Sequence, residues 1–240
     1  MATLMTHVCQ YTGPGTVPVL VGHQHKLICH DASFIKQEEV EQFEKNFPGV
    51  ICLKAQTPEA IVDELKLSNI TIDTVIHNDV FPNTPLLIEE IPLRIFQDSF
   101  SALLIFPMRL TQLLLPAMKA AGTGRFVFIT SARYLQPEKG FAVATSIRAG
   151  TSAFAQTLAR EAAPFGIQVN VVAPNYLYSE AYYPRKIFID EPEGRAKIAS
   201  MVPMGRLGEP KEIGELIAFL ASGRSPFVTG QVINFTGGWP

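Results

Sequence analysis

Short apolar runs alternate with longer segments of helical spacing along the whole chain, and this alternation is the strongest constraint on its fold. Strands are predicted at THVCQY, KLICHD, GVICLK, IDTVIHN, GRFVFITSA, IQVNVVAPN and GQVINFTGG. Several of these runs are apolar at nearly every position, as in strands that helices bury on both faces. The alternation predicts a doubly wound parallel α/β sheet of about seven strands with helices on both faces, in a single domain over residues 1–240.

Charge and hydropathy patterning exclude several classes of protein. A net charge of −2 offers no electrostatic attraction for nucleic acid or an anionic membrane. The apolar run LLIFPMRLTQLLLPAM contains Arg109 and two prolines, and no run reaches the ~18 apolar residues of a membrane span. The N-terminus lacks the pattern of a signal peptide, and the three cysteines are widely spaced. We therefore expect a cytoplasmic protein that binds neither metal, membrane nor nucleic acid.

Ligands of such sheets bind beyond the carboxyl ends of the strands. The segments expected along that rim are Tyr11–Gly15, Asn78–Phe81, Ser131–Tyr134 and Pro174–Tyr178. A long segment without helical or strand pattern, residues 175–194, follows the sixth strand and is predicted to be a lid.

The turn after the first strand is unsuited to a dinucleotide. Rossmann-like enzymes place glycines there so that the backbone can approach a pyrophosphate. Here the turn reads QYTGPGTVPVL, and the spacing of Gly13 and Gly15 fits no nucleotide motif. Pro14 lacks an N–H, and Tyr11 places a ring where open space is needed. We expect no nicotinamide cofactor, and we interpret Asp31, at the end of the second strand, as structural.

Two polar residues on the predicted rim form a catalytic pattern. Ser131 follows the run FVFIT, so its hydroxyl is placed to bond a substrate oxygen, although capping of a turn is an alternative role. Arg148 lies on a helix with apolar neighbours, and a buried guanidinium requires a partner or a ligand.

With these residues the chain resembles the short-chain dehydrogenase/reductase superfamily, and more specifically its cofactor-independent branch, the halohydrin dehalogenases. That family has a serine, a tyrosine thirteen positions later and an arginine four positions after the tyrosine; Ser131 and Arg148 occupy the outer positions. Thr6, Tyr11 and Gly13 match the family's replacement of the nucleotide glycines, with Tyr in place of the more usual Phe. PNYL, MGRLGEPKEIGELIAFLAS and TGQVINFTGGWP extend the resemblance over nearly the whole chain.

The resemblance implies a lyase that interconverts vicinal haloalcohols with epoxide plus halide and opens epoxides with small anions, without a cofactor. It implies a homotetramer assembled through helices near residues 93–120 and 145–164. Catalysis is assigned to Ser131, position 144 and Arg148. The expected halide and substrate walls are Tyr11, Phe81, Pro82, Tyr134, Pro174, Asn175, Tyr176, Leu177 and Tyr183.

The chain departs from the family at one position, because Ala144 stands where the tyrosine base is expected. Alanine cannot accept a proton, so activity is expected to be impaired, whether the alanine is natural or engineered. Tyr134 or Lys139 would have to replace the base. The alternatives are a non-catalytic binding protein on the same fold and a nicotinamide-dependent oxidoreductase.

Overall fold

One parallel sheet organises the molecule. The computed structural model describes residues 2–82 and 85–240, which form β1 (Thr3–Met5), β2 (Leu27–His30), β3 (Ile51–Leu53), β4 (Thr74–His77), β5 (Gly124–Ile129), β6 (Ile167–Pro174) and β7 (Val232–Phe235). The strands pair in parallel in the order β3-β2-β1-β4-β5-β6-β7. The predicted fold class, with its seven parallel strands, is confirmed.

Helices cover both faces of the sheet. They are α1 (Gly13–Gly22), α2 (Gln37–Asn46), α3 (Pro58–Leu67), α4 (Leu93–Phe100), α5 (Phe106–Ala121), α6 (Ala142–Ala162), α7 (Pro192–Met201) and α8 (Pro210–Ala221). Buried residues of α1, α2 and α8 share one apolar cluster, and those of α3, α5, α6 and α7 share another. The chain is therefore wound on both sides of the sheet, as the alternation predicts.

The central strand β5 shows why the apolar runs form this sheet. Phe126 and Phe128 belong to the cluster on one face, whereas Val127 and Ile129 belong to the cluster on the other. Successive side chains of a strand point to opposite faces, so a run that is apolar at every position needs apolar cover on both sides.

The first strand begins and ends earlier than predicted. Pairing stops at Met5, and the predicted run THVCQY forms the turn that follows. His7 and Tyr11 have φ of +48° and +53°, in the left-handed region that a strand excludes. The buried Thr6 hydroxyl accepts a hydrogen bond from the backbone N–H of Asn78 at 3.0 Å, which anchors the turn.

Residues 175–194 are less irregular than predicted. A π-helical turn covers Lys186–Asp190, and α7, which the sequence analysis missed, begins at Pro192. Proline in the first turn of a helix costs no hydrogen bond, because that N–H has no partner within the helix.

A π-helical turn at Ser101–Ile105 joins α4 and α5 into one rod, Leu93–Ala121. By length and composition alone this rod could cross a membrane, and among the described residues one helix, this rod, meets that criterion. It also packs in the protein: Leu103, Leu110 and Met118 are buried, and Arg109 pairs with Glu59 at 2.6 Å. The same properties are found in the core helix of a globular domain.

Candidate active site

A cavity of about 750 Å³ lies at the carboxyl ends of the central strands. It is the place where ligands of doubly wound sheets bind. The residues of the sequence prediction that line it are Tyr11, Phe81, Pro82, Ser131, Ala144, Arg148, Pro174, Asn175, Tyr176, Leu177 and Tyr183. The tertiary structure thus brings five separate chain segments together around one space.

Tyr134 is the exception, because it is not among the residues that line this cavity. Ser131 caps a 3₁₀ turn, Ala132–Leu135, by accepting a hydrogen bond from the backbone N–H of Arg133 at 3.2 Å. Successive residues of a 3₁₀ turn point about 120° apart. Arg133 lines the cavity and Tyr134 does not. Ser131 therefore caps the turn and also lines the cavity.

Helix α6 carries the other two positions of the predicted catalytic pattern. Ala144 and Arg148 both line the cavity, and an interval of four residues places them on the same helix face. The Arg148 guanidinium donates to the carbonyl of Ile129 at 2.7 Å and to that of Asp79 at 2.9 Å. These bonds fix its position between β5 and the segment after β4.

The tyrosines in the cavity wall are poor bases. Burial raises the pKa of Tyr11 to about 12 despite the nearby Arg148 cation, and it also raises the pKa of Tyr183 to about 12. Burial raises the pKa of Tyr176 too. Lys139 is exposed and does not line the cavity. None of these groups reproduces a phenol held one helical turn from Arg148.

The PNYL segment forms a tight turn directly after β6. Asn175 donates its backbone N–H to Phe235 at 3.1 Å, and its side-chain oxygen accepts from the N–H of Tyr176 at 3.0 Å. Tyr176 has a φ of +52°. The side-chain nitrogen of Asn175 is buried and has no hydrogen-bond partner among the described residues. A buried donor without a partner is costly, so an acceptor that reaches this nitrogen is bound favourably.

The first turn is closed by its own hydrogen bonds. The N–H of Thr12 donates to the Asn78 side chain at 3.3 Å, and that of Gly13 donates to Gln10 at 2.8 Å. Tyr11 donates its hydroxyl to the carbonyl of Thr130 at 2.8 Å, so the ring crosses the gap between β1 and β5. The amides that would face a phosphate at this helix N-terminus are already used.

The two glycines of the turn serve packing. A Cβ on Gly13 would lie 2.1 Å from the Val8 carbonyl oxygen, and one on Gly15 would lie 2.1 Å from that of Pro210. Glycine allows α1 to approach the preceding turn and α8. The carboxylate of Asp31 accepts from the backbone N–H groups of Cys9 and Ser33 at 2.9 and 3.0 Å, so it holds local structure.

A buried histidine–aspartate cluster beneath the cavity was not anticipated. Asp79 accepts from the Thr6 hydroxyl at 2.9 Å, and its oxygens lie 3.2 Å from His7 Nδ1 and 3.6 Å from His77 Nδ1. Burial alone would raise the pKa of Asp79, but His7, His77 and Thr6 outweigh it and the pKa is lowered. The signal was present, because His7, His77 and Asp79 all occur at the carboxyl ends of β1 and β4.

This cluster touches the candidate catalytic group. The carbonyl of Asp79 accepts from Arg148, while the carboxylate binds the histidines. His30 packs edge-to-face on His7 at 5.2 Å. No group of three or more metal-ligating side chains is present among residues 2–82 and 85–240. Through Asp79, the cluster therefore connects Arg148, which lines the cavity, with the buried histidines.

Stability is expected to fall as the pH drops below 6.5. Burial lowers the pKa of both His30 and His77 from 6.5 to about 4, so the folded protein keeps them neutral while the unfolded chain protonates them. Their contribution is complete above pH 6.5 and is lost toward pH 4. Between pH 7.5 and pH 5.5 the two should lower the free energy of unfolding by roughly 2–3 kcal/mol.

Urea unfolding at the two pH values measures this difference. His77→Asn should remove roughly half of it. A free energy of unfolding that stays constant or rises at pH 5.5 contradicts the expectation. Burial also lowers the pKa of His25, so this histidine likewise lowers the free energy of unfolding as the pH falls.

The family follows from a match along almost the entire chain. Residues 16–240 match the short-chain dehydrogenase family model described as enoyl-(acyl carrier protein) reductase. The chain belongs to the short-chain dehydrogenase/reductase superfamily. It is 32% identical to the 3-oxoacyl-(acyl-carrier-protein) reductase of Escherichia coli K12 over 184 residues, 75% of this chain and 71% of that protein.

Other curated relatives match over shorter stretches. A tropinone reductase homolog of Arabidopsis thaliana is 34% identical over 143 residues, 60% of this chain and 53% of its own length. The 3-oxoacyl-(acyl-carrier-protein) reductase of Salmonella typhimurium is 38% identical over 130 residues, 54% of this chain and 51% of its own length. The chain thus spans about half the length of these two relatives.

Two solved structures match more completely. A halohydrin dehalogenase bound to ethyl (2S)-oxiran-2-ylacetate superposes with a TM-score of 0.95 and 33% identity, covering 100% of this chain and 97% of that one. A dehalogenation enzyme superposes with a TM-score of 0.92 and 32% identity, covering 100% and 98%. The chain is therefore similar over its full length to these two structures, and over 54–75% of its length to the three curated reductase relatives.

Proposed function

We propose that the protein is a lyase of the halohydrin dehalogenase type. It interconverts vicinal haloalcohols with epoxide plus halide and opens epoxides with small anions. The observation that carries the proposal is the convergence of Ser131, position 144, Arg148 and the PNYL turn on one cavity. The full-length similarity to a halohydrin dehalogenase that binds an epoxide supports it.

The proposed chemistry follows from the positions of these groups. Ring closure removes the proton of the substrate hydroxyl; its oxygen then forms a bond to the neighbouring carbon, and the carbon–halogen bond breaks. Ser131 donates a hydrogen bond to the substrate oxygen. The Arg148 cation favours the phenolate form of a tyrosine at position 144. With Ala144 this proton acceptor is missing, so the proposed activity of the present chain is strongly reduced.

The leaving halide is assigned to the PNYL turn. The buried side-chain nitrogen of Asn175 offers a hydrogen bond, while Pro174, Tyr176, Leu177 and Tyr11 supply a largely apolar wall. An anion held by a donor in such surroundings is desolvated and poorly screened, which favours halide departure into the subsite. Tyr183, on the segment predicted as a lid, packs on Tyr176 at the same side, and Phe81 and Pro82 also line the cavity.

We propose that no nicotinamide is used, although the superfamily implies one. A pyrophosphate needs free N–H groups and open space at the N-terminus of α1. In this chain the N–H groups of Thr12 and Gly13 are bonded, Pro14 has none, and the Tyr11 ring crosses the gap. The residues present do not fit the cofactor, and no step of the reaction is assigned to it.

A bromide titration tests the halide subsite. Trp239, the one tryptophan of the chain, packs edge-to-face on Tyr176 at 5.5 Å, so its fluorescence reports on the PNYL turn. We expect a saturable change with bromide and none with NADP(H) or NAD(H). Asn175→Asp should abolish the bromide response, because it places a carboxylate in the subsite. Asn46→Asp, on the exposed face of α2, is the matched control.

Saturable NADP(H) binding that bromide leaves unchanged would favour the oxidoreductase alternative. A binding protein without turnover is the second candidate, and Ala144 is the observation that favours it.

Assembly as a homotetramer also remains a proposal. The exposed apolar side chains Ile95, Phe96, Ile105 and Met108 on the Leu93–Ala121 rod support it. Cytoplasmic location stays a prediction.

A further inference from the structure

A second arginine lines the cavity, and nothing in the proposed reaction uses it. Arg133 lies two residues after Ser131, on the 3₁₀ turn that Ser131 caps. Its side chain is only 18% exposed. Most of the surrounding wall is aromatic or aliphatic, including Tyr11, Leu103 and Leu177. A guanidinium in such a wall has lost much of its hydration, so a compensating ligand is favoured.

The guanidinium is held from two sides. The ring of Phe141 stacks on it, with 3.9 Å between the guanidinium carbon and the ring centroid. An oxygen of Glu138 lies 3.2 Å from Nε. Both contacts come from the loop between β5 and α6, so they fix the head group relative to Ser131. A preorganised cation loses less conformational entropy when it binds a ligand.

The charge of Arg133 faces the cavity interior. It opposes the burial-driven rise in pKa of Tyr11, Tyr176 and Tyr183, three phenols on different parts of the wall. Glu138, by contrast, is 44% exposed and does not line the cavity. Glu138 acts on Tyr176 and Tyr183 in the opposite sense and raises their pKa, although its carboxylate is the more exposed partner of the ion pair.

Glu138 does not exhaust the hydrogen-bonding capacity of Arg133. A guanidinium has five N–H donors; one carboxylate oxygen lies near Nε, and the Tyr183 hydroxyl accepts one further hydrogen bond from Arg133. The other cavity arginine, Arg148, is already bonded to two carbonyls. The carboxylate of Glu180 is engaged by the Tyr178 hydroxyl and by the backbone N–H of Arg185. Arg133 is thus the cavity cation suited to an incoming anion.

We propose that Arg133 selects substrates that carry a carboxylate on the carbon chain of the epoxide or haloalcohol. This inference rests on the proposed function and names its substrate class. An arginine binds a carboxylate through paired hydrogen bonds and full charge, whereas an ester or an alkyl group offers at most a neutral acceptor. Because Arg133 and Ser131 share one turn, a carboxylate at Arg133 places the oxygen-bearing carbons near Ser131.

Calorimetric binding to the present chain tests the proposal without requiring turnover. The probes are oxiran-2-ylacetate and its ethyl ester, which differ in charge at the group assigned to Arg133. The carboxylate is expected to bind at least tenfold more tightly. Arg133→Gln should remove this preference and leave the affinity for the ester unchanged. Arg133→Lys, which keeps the charge without the planar fork, should retain part of it.

Arg224→Gln is the matched control, because Arg224 also lies over a phenylalanine ring, Phe219, but is exposed and away from the cavity. It should keep the full preference. Equal affinities for the two probes in the unmodified chain overturn the proposal. A preference for the carboxylate that survives Arg133→Gln also overturns it. The same holds if Arg133→Gln and Arg133→Lys both lose affinity for the carboxylate and for the ester to the same extent.

The two proposals can fail separately. If Ala144→Tyr releases no halide while the carboxylate preference depends on Arg133, the lyase function is wrong and the anion subsite stands. If Ala144→Tyr releases halide from a neutral chlorohydrin and the two probes bind equally, the lyase function stands and the substrate class is wrong.

Discussion

Replacing Ala144 by tyrosine is expected to increase the rate of halide release from a simple vicinal chlorohydrin by about 10²- to 10⁴-fold. The substitution places a phenol on the cavity face of α6, four residues before Arg148. The guanidinium is already fixed by the carbonyls of Ile129 and Asp79, so the cation that lowers the phenol's pKa is in place. Release of chloride at neutral pH, followed with a halide-sensitive assay, measures the gain.

Two further variants distinguish the effect of the tyrosine hydroxyl on the rate from the effect of its ring. Ala144→Phe fills the same space without a proton acceptor, and it should leave the rate at the level of the present chain. Adding Arg148→Met to Ala144→Tyr should remove most of the gain, because the phenol then keeps a pKa near its ordinary value of ~10. If Ala144→Tyr releases no more halide than Ala144→Phe, the lyase function is contradicted and the binding-protein alternative is favoured.

Asp79→Ala is expected to lower the free energy of unfolding by about 3–5 kcal/mol. The Asp79 carboxylate is buried, accepts a hydrogen bond from Thr6 and lies against His7 and His77. Its removal leaves buried donors without their acceptor, at a cost that hydration cannot offset. Chemical denaturation at pH 7.5 measures the loss.

The matched variants identify the cause of this loss. Asp79→Asn keeps the size and one acceptor oxygen but removes the charge, so it should cost less than alanine. Asp63→Ala breaks an exposed pair with Lys66, in which both side chains are about 70% exposed, and it should change stability by less than about 1 kcal/mol. A loss in Asp79→Ala no larger than that in Asp63→Ala contradicts a stabilising cluster.

Much of the fold could be predicted because it depends on local patterns. The runs in β5 and β6 are apolar at nearly every position, and only a sheet covered on both faces buries such runs completely. The error at β1 has a specific cause. THVCQY has the composition of a strand, but Thr6 bonds to Asn78, 72 residues away, and that tertiary contact redirects the backbone.

The candidate site was predictable where it depends on intervals along one element. Ala144 and Arg148 share a helix face, and Asn175 to Leu177 follow β6 directly, so sequence spacing is enough to bring them to the same cavity. Tyr134 is not among the cavity-lining residues, because the orientation of a short turn depends on its cap. Arg133 was overlooked because nothing in its local sequence distinguishes an arginine that lines a cavity from one in solvent.

By itself, the sequence determined the doubly wound sheet, the strand ends at which ligands bind, and the interval that aligns Ser131, position 144 and Arg148. Only the tertiary structure decided that Arg133 faces the cavity and that Asp79 joins two histidines beneath Arg148. The physical reason is the range of the interactions. Strand and helix periodicity acts over a few residues, whereas burial and charge pairing depend on segments far apart in the chain, such as His7 and Asp79.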